Sequence, residues 1–568
     1  MKKTYLESTC PVLRSRLDVL RSSRSTAEAV WQEIENYVMP FRGEFFKKST
    51  SETDVEWRKR WIYDSTPVES AQNLASSLNG SLTLGNWFDV RFRNDDLNED
   101  KDATDWLEEA VNIERGALRE SNFGLESNEM YLDLVGFGNA IIMEEIDGTY
   151  ENFKGLNFKS VPIKESYFEH NYKGGAKRFY RVVELTAVQI VDKFGLEGVP
   201  SHIAEKAKLP DGADTKYEVV FAIYEREAVT DAVEAGGVDL SKPLPPKNRP
   251  FGYRWFLFET AEELDEEGGY YEMPVFIVRW RKVSGSQWGY GPAHVAMGDI
   301  LTLNQTKDYV LQALEKVIDP ATLAEERGFF GDLDLGPGGI NIVTGVDKIK
   351  PYESGARFDV SKMETETLRE SIRRMFYVDQ LQLKESPQMT ATEVQVRYEL
   401  MNRLLGPTMG RLQSDFLDPL VQRTFNILYR AGQLPEVPAS VSEQKAEMDV
   451  EYLGPLSRAQ KADDVAAIER FTGSMAQVME IYPEVRYIID PLKMARESAT
   501  LLGVPSKLIR SEEDIEKQMA AEQKKQQAAE TIQAAQAGGD AMQSVAKGGQ
   551  EMKLMQGGAD GGQAQPTA

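Results

Sequence analysis

The 568-residue sequence has very few of the residues that build disulfides and metal sites, with one cysteine and three histidines. The single Cys10 cannot form a disulfide within the chain, which excludes a disulfide-stapled domain and indicates a reducing compartment. His170, His202 and His294 are far apart in the sequence and lack metal-ligand spacing. We therefore expect no metal and no cofactor.

Long apolar runs and recognisable catalytic motifs are also missing. No run approaches the ~20 apolar residues of a membrane span, and no apolar signal region follows Met1. We therefore expect no membrane partner and a protein that is cytoplasmic or assembled in the cytoplasm. No G-x-x-x-x-G-K-[ST], H-E-x-x-H or G-x-S-x-G string occurs. Abundant carboxylates leave a nuclease site open, but no set stands out, so a structural component is favoured over an enzyme.

Positive charge is scarce relative to negative charge: 66 Lys and Arg face 91 Asp and Glu, a net charge of −25. A protein that grips nucleic acid normally presents a basic face. Acidic residues here concentrate in the segments 95–105 and 262–267. These segments are either solvated loops or surfaces that repel polyanions.

The apolar periodicity predicts an α+β body followed by a mainly helical half. In the body we expect helices at 11–39 and 103–121 and strands at 141–143, 161–163, 180–183, 219–224 and 275–280. Beyond it we expect a helix at 293–319, short β pieces within 320–356, a helix at 362–383, a break at 384–390 and a long helix at 391–431. Leu405, Met409, Leu412, Phe416 and Leu420 give the long helix an apolar stripe, and Pro407 and Pro419 should kink it. Residues 511–537 are helix-prone, and the Gly/Gln/Ala-rich residues 538–568 should be disordered.

The segment 66–80 is a well-specified helix without any catalytic residue type. Thr66 and Glu69 form a capping-box pattern, Pro67 suits the first helical position, and Gly80 suits the C-cap. An apolar stripe runs along Val68, Ala71, Leu74, Ala75 and Leu78. The pattern predicts a core helix docked by its small-residue face on a sheet that begins at Trp87 and Phe88.

Several strings follow one another in an order and spacing that spans roughly residues 25–510. They are Trp31-Gln32-Glu33-Ile34 with Pro40-Phe41-Arg42-Gly43; Ile62-Tyr63-Asp64-Ser65-Thr66-Pro67 with Leu74-Ala75-Ser76-Ser77-Leu78 and Trp87-Phe88; Tyr290-Gly291-Pro292 with Gly298-Asp299-Ile300 and Leu303-Asn304; Met389-Thr390-Ala391-Thr392-Glu393-Val394 with Arg397 and Leu405-Gly406-Pro407; and Leu453-Gly454-Pro455-Leu456-Ser457-Arg458-Ala459-Gln460-Lys461. Together they resemble the portal (head-to-tail connector) proteins of short-tailed bacteriophages. We expect structural roles for Asp64, Thr66, Pro67, Trp87, Gly291, Pro292, Asp299, Asn304, Thr390 and Glu393.

The resemblance implies an α+β portal-type fold assembled as a ring, most often of twelve copies, at one vertex of the capsid. It implies the following division: wing 1–290 with the long helix 391–435, stem 291–319 and 357–383, clip 320–356, channel loop 384–390, crown 436–510, barrel helix 511–537 and a disordered tail 538–568. The helix 293–318 places Val295, Ile300, Leu301, Leu311 and Leu314 on a narrow side, which we expect to pack against neighbouring copies.

The same resemblance implies the partners. Double-stranded DNA would pass through the ring without sequence-specific contacts, the terminase large subunit would dock during packaging, and a tail adaptor would meet the clip. The ring would also contact the major capsid and scaffolding proteins in the virion. The loop Lys384, Glu385, Ser386, Pro387, Gln388 and Met389 would face the DNA, unless it is an ordinary turn on the outside of the ring. Two other functions stay open: a terminase-like ATPase or nuclease, and another neck or tail structural protein.

Overall fold

The structure is a computed structural model that describes residues 8–42, 62–171, 174–234, 243–318, 322–324, 349–351, 358–378, 406–443, 448–452, 465, 467–475 and 491–501, with single residues at 515, 518 and 521. The predictions for the loop 384–390, for Thr390 and Glu393 and for the tail 538–568 lie outside these residues. None of the helices in the described part is long and apolar enough to span a membrane.

The chain divides into two compact units. The first comprises Met1–Val90, Glu109–Glu436 and Val450–Gln477, and the second comprises Arg91–Glu108, Val437–Asp449 and Val478–Ala568. The first unit holds both of the larger sheets and the helices around them. Helices and sheets occur side by side throughout it, which confirms the predicted α+β class.

The elements up to residue 148 are mainly helical: α1 (Cys10–Tyr37), α2 (Thr66–Leu82), β1 (Phe88–Phe92), α3 (Asp95–Glu99), α4 (Lys101–Glu120), α5 (Phe123–Phe137) and β2 (Asn139–Gly148). A mainly β stretch follows: β3 (Phe153–Ser160), β4 (Ser166–His170), β5 (Ala176–Thr186), α6 (Ala187–Gly198), α7 (Ser201–Ala207), β6 (Lys216–Glu225), α8 (Glu227–Glu234), β7 (Phe251–Leu257), β8 (Gly268–Tyr270), β9 (Val275–Arg279), β10 (Arg281–Lys282) and β11 (Gly289–Tyr290).

Long helices dominate the remainder: α9 (Pro292–Ile318), β12 (Thr322–Ala324), β13 (Ile349–Pro351), α10 (Phe358–Met375), α11 (Asp418–Arg430), α12 (Ala439–Glu443), β14 (Met448–Tyr452) and α13 (Pro491–Leu501). The strands β12 and β13 pair antiparallel, with Leu323 opposite Lys350. The short β pieces expected between the two long helices are therefore present.

Two antiparallel sheets form the core of the first unit. One has the strand order β4-β5-β6-β7-β8 and the other β3-β2-β9. Side chains alternate along β6, so Phe221 and Ile223 face the three-stranded sheet while Val220 and Ala222 face the other way. Helix α1 covers that second face with Leu13, Leu17 and Leu20. Because β6 is covered on both faces, it reads as a continuous apolar run.

Two local predictions in this region are wrong. The expected strand at 161–163 is not one, because β3 ends at Ser160 and Ile163–Glu165 forms a short 3-10 helix. Pro162 has no N–H to contribute to a strand ladder, which explains the ending. Helix α2 continues past Gly80 to Leu82, so Gly80 is not its C-cap.

The packing of α2 also differs from the prediction. It lies against the helices α5, α9 and α10 and not on a sheet. The Ser127 hydroxyl of α5 donates to Asn79 Oδ1 of α2 at 3.1 Å, which fixes one polar contact within this helical layer. The small residues of α2 therefore allow a close helix–helix approach.

The long helix predicted after residue 391 is visible from residue 406. It runs through a π-turn at Gln413–Leu417 into α11, and the Asp418 N–H bonds to the carbonyl of Gln413. Pro419 has no N–H for the ladder, so a local irregularity is needed here, and the π-turn provides it. The predicted apolar stripe is confirmed, since Met409, Leu412, Phe416 and Leu420 are buried.

Candidate functional site

The segment before α2 forms a polar junction in place of the predicted capping box. Asp64 Oδ1 accepts hydrogen bonds from the Thr66 N–H at 3.1 Å and from the Thr66 hydroxyl at 2.6 Å. Thr66 is the first residue of α2 and makes no side-chain cap, while Pro67 occupies the first turn as expected. The carboxylate that holds the start of α2 is therefore that of Asp64, and Glu69 is not part of it.

Helix α10 is fastened to this carboxylate by Arg369. Its Nε and Nη2 both donate to Asp64 Oδ2, at 3.0 and 2.9 Å. Burial opposes ionisation of Asp64, but the bonds from Thr66 and the Arg369 guanidinium outweigh it and lower the pKa of this carboxyl. Asp64 is therefore a carboxylate with a fixed structural partner.

Helix α9 joins the same junction through two polar residues of the predicted set. Asp299 Oδ2 accepts from the Ser371 hydroxyl of α10 at 2.6 Å, and Asn304 Oδ1 accepts from the Tyr63 N–H at 2.8 Å. The clasp, as we call it, consists of Tyr63, Asp64, Thr66, Asp299, Asn304, Arg369 and Ser371. It ties the start of α2 to α9 and α10, so four of the residues singled out from the sequence, Asp64, Thr66, Asp299 and Asn304, meet in one polar cluster.

The entry to α9 requires close backbone approach, which accounts for Gly291. Gly138 has a φ of 69°, and a Cβ placed on it would lie 2.4 Å from the Gly291 nitrogen. Buried Asn139 bridges the two strands here, since its Nδ2 donates to the Gly289 carbonyl at 3.2 Å and its Oδ1 accepts from the Gly289 N–H at 2.8 Å. Pro292 then begins α9.

Trp87 has a packing role. Its ring is stacked near the rings of Phe123 and Tyr452, with centroids 6.4 and 6.3 Å away, and it is buried. These contacts are between aromatic rings, so Trp87 packs in an aromatic layer and has a structural role.

A second polar cluster fixes α11 to the three-stranded sheet. The Thr424 hydroxyl donates to Glu144 Oε1 at 2.8 Å, and Arg423 Nε lies 3.2 Å from Glu144 Oε2. Burial raises the pKa of Glu144 to about 7, although Arg423 and the Thr424 bond oppose the shift. Arg430 adds a bidentate contact to Glu272 at 2.6 and 3.0 Å.

Sequence reasoning missed several partners in these clusters. Arg369, Ser371, Asn139 and Arg423 lie in ordinary amphipathic elements, and each finds its partner at least 70 residues away or across the core. The one usable signal was the Tyr290-Gly291-Pro292 string, which lies at the entry to α9 but gives no indication of the partner strand.

Helix α9 carries an apolar face that the residues described by the structure leave exposed. Leu311, Leu314, Val317 and Ile318 on this face are between 40% and 74% exposed. Of the residues expected on the packing side, Ile300 is buried within the chain and Leu301 is half-buried, whereas Val295, Leu311 and Leu314 are exposed. The five residues that we expected to pack against neighbouring copies therefore do not share one environment. Some lie in the interior of the subunit and others on its surface.

Neither cluster resembles a reaction centre. The charged groups of the clasp and of the Glu144 cluster are engaged by structural partners from other elements. In the ranges that the structure describes, no group of three or more His, Cys, Asp or Glu side chains is placed to hold a metal ion. In these polar clusters α2, α9 and α10 are fastened to one another, and α11 is fastened to the three-stranded sheet.

The particular family follows from comparison with known proteins. Residues 11–509 match the family described as bacteriophage head to tail connecting protein, and the chain belongs to that family. It is 27% identical to the "Probable portal protein" of Bordetella phage BPP-1, over 88% of each chain. It is 23% identical to the "Portal protein" of Salmonella phage epsilon15, over 92% of this chain and 93% of the relative.

Among solved structures, the chain shows a distant likeness to a protein of the neck of the native gene transfer agent (GTA) particle. The TM-score is 0.35 at 10% identity, with 78% of this chain and 90% of the other covered. The family membership confirms the resemblance found in the sequence. It makes the protein a structural component of the phage virion and not an enzyme.

Proposed function

We propose that this protein is a portal subunit, that its copies form a ring at one capsid vertex, and that double-stranded DNA passes through the ring during packaging and ejection. The observation that carries this proposal is the apolar face of α9 that the described residues leave exposed. Full burial of a Leu or Ile side chain contributes about 1.5 to 3 kcal/mol, so leaving several exposed on one helix is costly unless a partner covers them.

The position of this face favours a second copy of the chain as the partner. The clasp fixes the first half of α9 against α2 and α10, so the second half leaves the junction in a defined direction. A face of this kind meets a different surface on the neighbouring copy, and such head-to-tail contacts close into rings when the rotation allows it. Each copy would then cover the α9 face of the next.

The negative net charge of the protein favours a function in which DNA is transported and is not tightly bound. Each copy contributes a net charge of −25. A negatively charged ring weakens contact with phosphates, so that DNA can slide without being held. Phosphate contacts carry no sequence information, which suits a conduit for any genome sequence.

The division into regions follows the sequence expectation. Residues 1–290 and 391–435 form the wing, 291–319 and 357–383 the stem, and 320–356 the clip that docks the tail adaptor. Helices α9 and α10 fall within the stem and the β12–β13 pair within the clip. The terminase large subunit docks on the ring during packaging, and the capsid and scaffolding proteins surround the wing. The loop 384–390 faces the DNA.

The test is to purify the full chain and image it by negative-stain microscopy. The proposal predicts rings with a central hole in the absence of nucleotide. A stable monomer at every salt concentration would overturn it. ATP hydrolysis or DNA cleavage by the purified chain would favour a packaging enzyme instead.

DNA conduction is tested separately by deleting residues 384–389. The variant should still form rings, but the yield of stable DNA-filled heads should fall. Rings that form while filled heads accumulate at the normal yield would place the loop away from the DNA. Rings without any role in filling heads would favour another neck or tail structural protein.

A further inference from the structure

The guanidinium of Arg279, at the end of β9, is a buried cation with one donor that the described residues leave unsatisfied. The residue is 6% exposed, and within the described part of the chain its Nε has no hydrogen-bond partner. Buried polar groups are nearly always hydrogen-bonded, and an unsatisfied charged group is the most costly exception. A water molecule or an anion beside Arg279 would satisfy this donor.

Two further cations lie at the same place. Arg411 lies in the helical residues 406–412, and its Nη1 donates to the carbonyl of Trp280 at 3.4 Å. Trp280 directly follows Arg279 in the chain. Lys282 lies in β10 opposite Gly289, and its Nζ is 3.9 Å from where a Cβ on Gly174 would be. Strand β9, strand β10 and the helical residues 406–412 thus each contribute one of three cations, and the charges of all three act on the carboxyl of Asp415.

One carboxyl group faces these cations. Asp415 belongs to the π-turn, and its Oδ2 is buried without a hydrogen-bond partner in the described residues. Burial raises the pKa of Asp415, and the charges of Arg279, Lys282 and Arg411 oppose that shift. Burial together with Arg279 and Lys282 lowers the pKa of nearby His170 to about 4, so this imidazole is neutral near pH 7.

We propose that Arg279, Lys282 and Arg411 form a binding site for a phosphoryl oxyanion, supplied either as free phosphate or by the DNA backbone. Three positive charges outnumber the single carboxyl in a chain that is otherwise strongly acidic. Guanidinium groups donate paired N–H bonds that match phosphate oxygens, and the exposed Lys282 adds charge at the mouth of the site. The unused Nε of Arg279 gives the anion a buried donor at the base.

The opposing Asp415 makes the site adjustable. As a carboxylate it repels the anion, whereas its neutral form can donate a hydrogen bond to a phosphate oxygen. Replacing it with asparagine removes the repulsion and retains the shape, so Asp415→Asn should strengthen anion binding. A merely structural role for the three cations predicts no such gain.

The test titrates the full-length protein with inorganic phosphate by calorimetry, with chloride at matched ionic strength as the reference. Saturable binding is expected in the parent, about tenfold weaker binding in Arg411→Gln, and tighter binding in Asp415→Asn. Arg373→Gln, a half-exposed arginine of α10, is the matched control and should bind as the parent does. Both informative variants avoid Arg279, whose replacement could unfold the core.

The second arm uses a short DNA duplex in phosphate-free buffer. If the duplex competes with phosphate for binding to the parent, and this competition disappears in Arg411→Gln, the DNA backbone supplies the oxyanion. Phosphate binding without duplex competition identifies free phosphate as the source. The proposal is overturned if neither titrant binds saturably, or if Arg411→Gln and Asp415→Asn bind as the parent does.

Discussion

The two halves of helix α9 have opposite surroundings. The first half, from Pro292 to Asn304, buries Ala293, Ala296, Ile300 and Leu303 and ends in the clasp. The second half carries Leu311, Leu314 and Ile318 at a helical spacing but leaves them exposed. The apolar side chains of the first half are therefore buried within the chain, whereas those of the second half are not buried by the residues that the structure describes.

The difference separates folding from assembly. Residues of the first half should determine whether the subunit is stable, and residues of the second half should determine whether subunits associate. The following predictions are ordered by their expected effect on the stability of the subunit, from the largest to the smallest.

The largest effect is expected for Leu303→Ala in the first half of α9. Leu303 is fully buried, so truncation removes apolar contacts and leaves a cavity, which should cost about 2 to 5 kcal/mol of unfolding free energy. Chemical denaturation followed by circular dichroism measures this. Leu311→Ala is the matched control in the second half and should change subunit stability by less than about 0.5 kcal/mol. Equal losses in both variants would remove the distinction between the halves.

The next effect is expected for Asp64→Asn, which removes the charge that Arg369 contacts. The bonds involve a charged group that is largely buried, so the loss should be about 1 to 3 kcal/mol. Asp449→Asn, which removes the exposed partner of Arg93, is the control and should change stability little. A loss for Asp64→Asn no larger than for the control would show that the clasp does not hold the helices.

The lowered pKa of Asp64 fixes the direction of the accompanying pH effect. The unfolded carboxyl has a pKa near 3.8, and the folded one lies below it. The contribution of the clasp is therefore fully present above pH 3.8 and is lost as the pH falls through the lower folded value. Asp64→Asn should abolish this acid-dependent part, which unfolding curves between pH 2 and 5 would reveal.

A smaller effect of opposite sign is expected for Glu114→Gln in α4. Glu114 is fully buried, and both carboxyl oxygens lack hydrogen-bond partners in the described ranges. Since Glu114 is fully buried, its carboxyl belongs to the interior of the subunit and not to an assembly surface. Glu114 and the exposed face of α9 therefore differ in two respects. Glu114 is polar and buried, whereas the α9 face is apolar and exposed.

Burial, with a further contribution from Glu144, raises the pKa of Glu114 well above 4.5. Above pH 4.5 the Glu114 carboxyl ionises in the unfolded state but not yet in the folded state. The unfolding free energy of the parent protein therefore falls as the pH rises from 4.5 toward the pKa of folded Glu114. Glu114→Gln should flatten this dependence and be more stable than the parent at pH 8. Glu109→Gln, at an exposed position on the same helix, should retain the parent's slope. A parent slope that persists in Glu114→Gln would assign the pH dependence to another group.

Almost no effect is expected from truncation after Ala537. Residues 538–568 contain no aromatic residue, and their Met542, Met552, Leu554 and Met555 form no apolar face. The truncated chain should form the same rings, as judged by microscopy. Failure to assemble would show that this segment provides an interface that its composition does not reveal.

Much of the architecture could be predicted because it depends on local periodicity. The helix 293–319 corresponds to α9, the strand 219–224 to β6, and the stripe from Met409 to Leu420 to the buried side of the long helix. These elements are long and strongly patterned, so local sequence specifies them. The entry string Tyr290-Gly291-Pro292 was equally local.

What could not be predicted depends on contacts between distant segments. The capping-box pattern at Thr66 was misleading because Asp64, engaged by Arg369 about 300 residues away, takes the Thr66 hydroxyl. The predicted helix 362–383 begins at Phe358 and ends at Met375, where Tyr377 adopts a φ of 59° between buried Phe376 and Val378. Packing around those two side chains decides the helix end, and no local signal records it.

The most direct test of assembly through the second half of α9 is the mass of the purified particle when that face is made polar. The variant Leu311→Asp/Leu314→Asp is compared with Leu196→Asp/Leu209→Asp, which changes two leucines of similar exposure elsewhere on the surface. We predict that the first variant keeps the parent's circular dichroism but has the mass of a monomer or small oligomer, whereas the second forms parent-sized rings. Parent-sized rings from Leu311→Asp/Leu314→Asp at the same protein concentration would contradict the proposal.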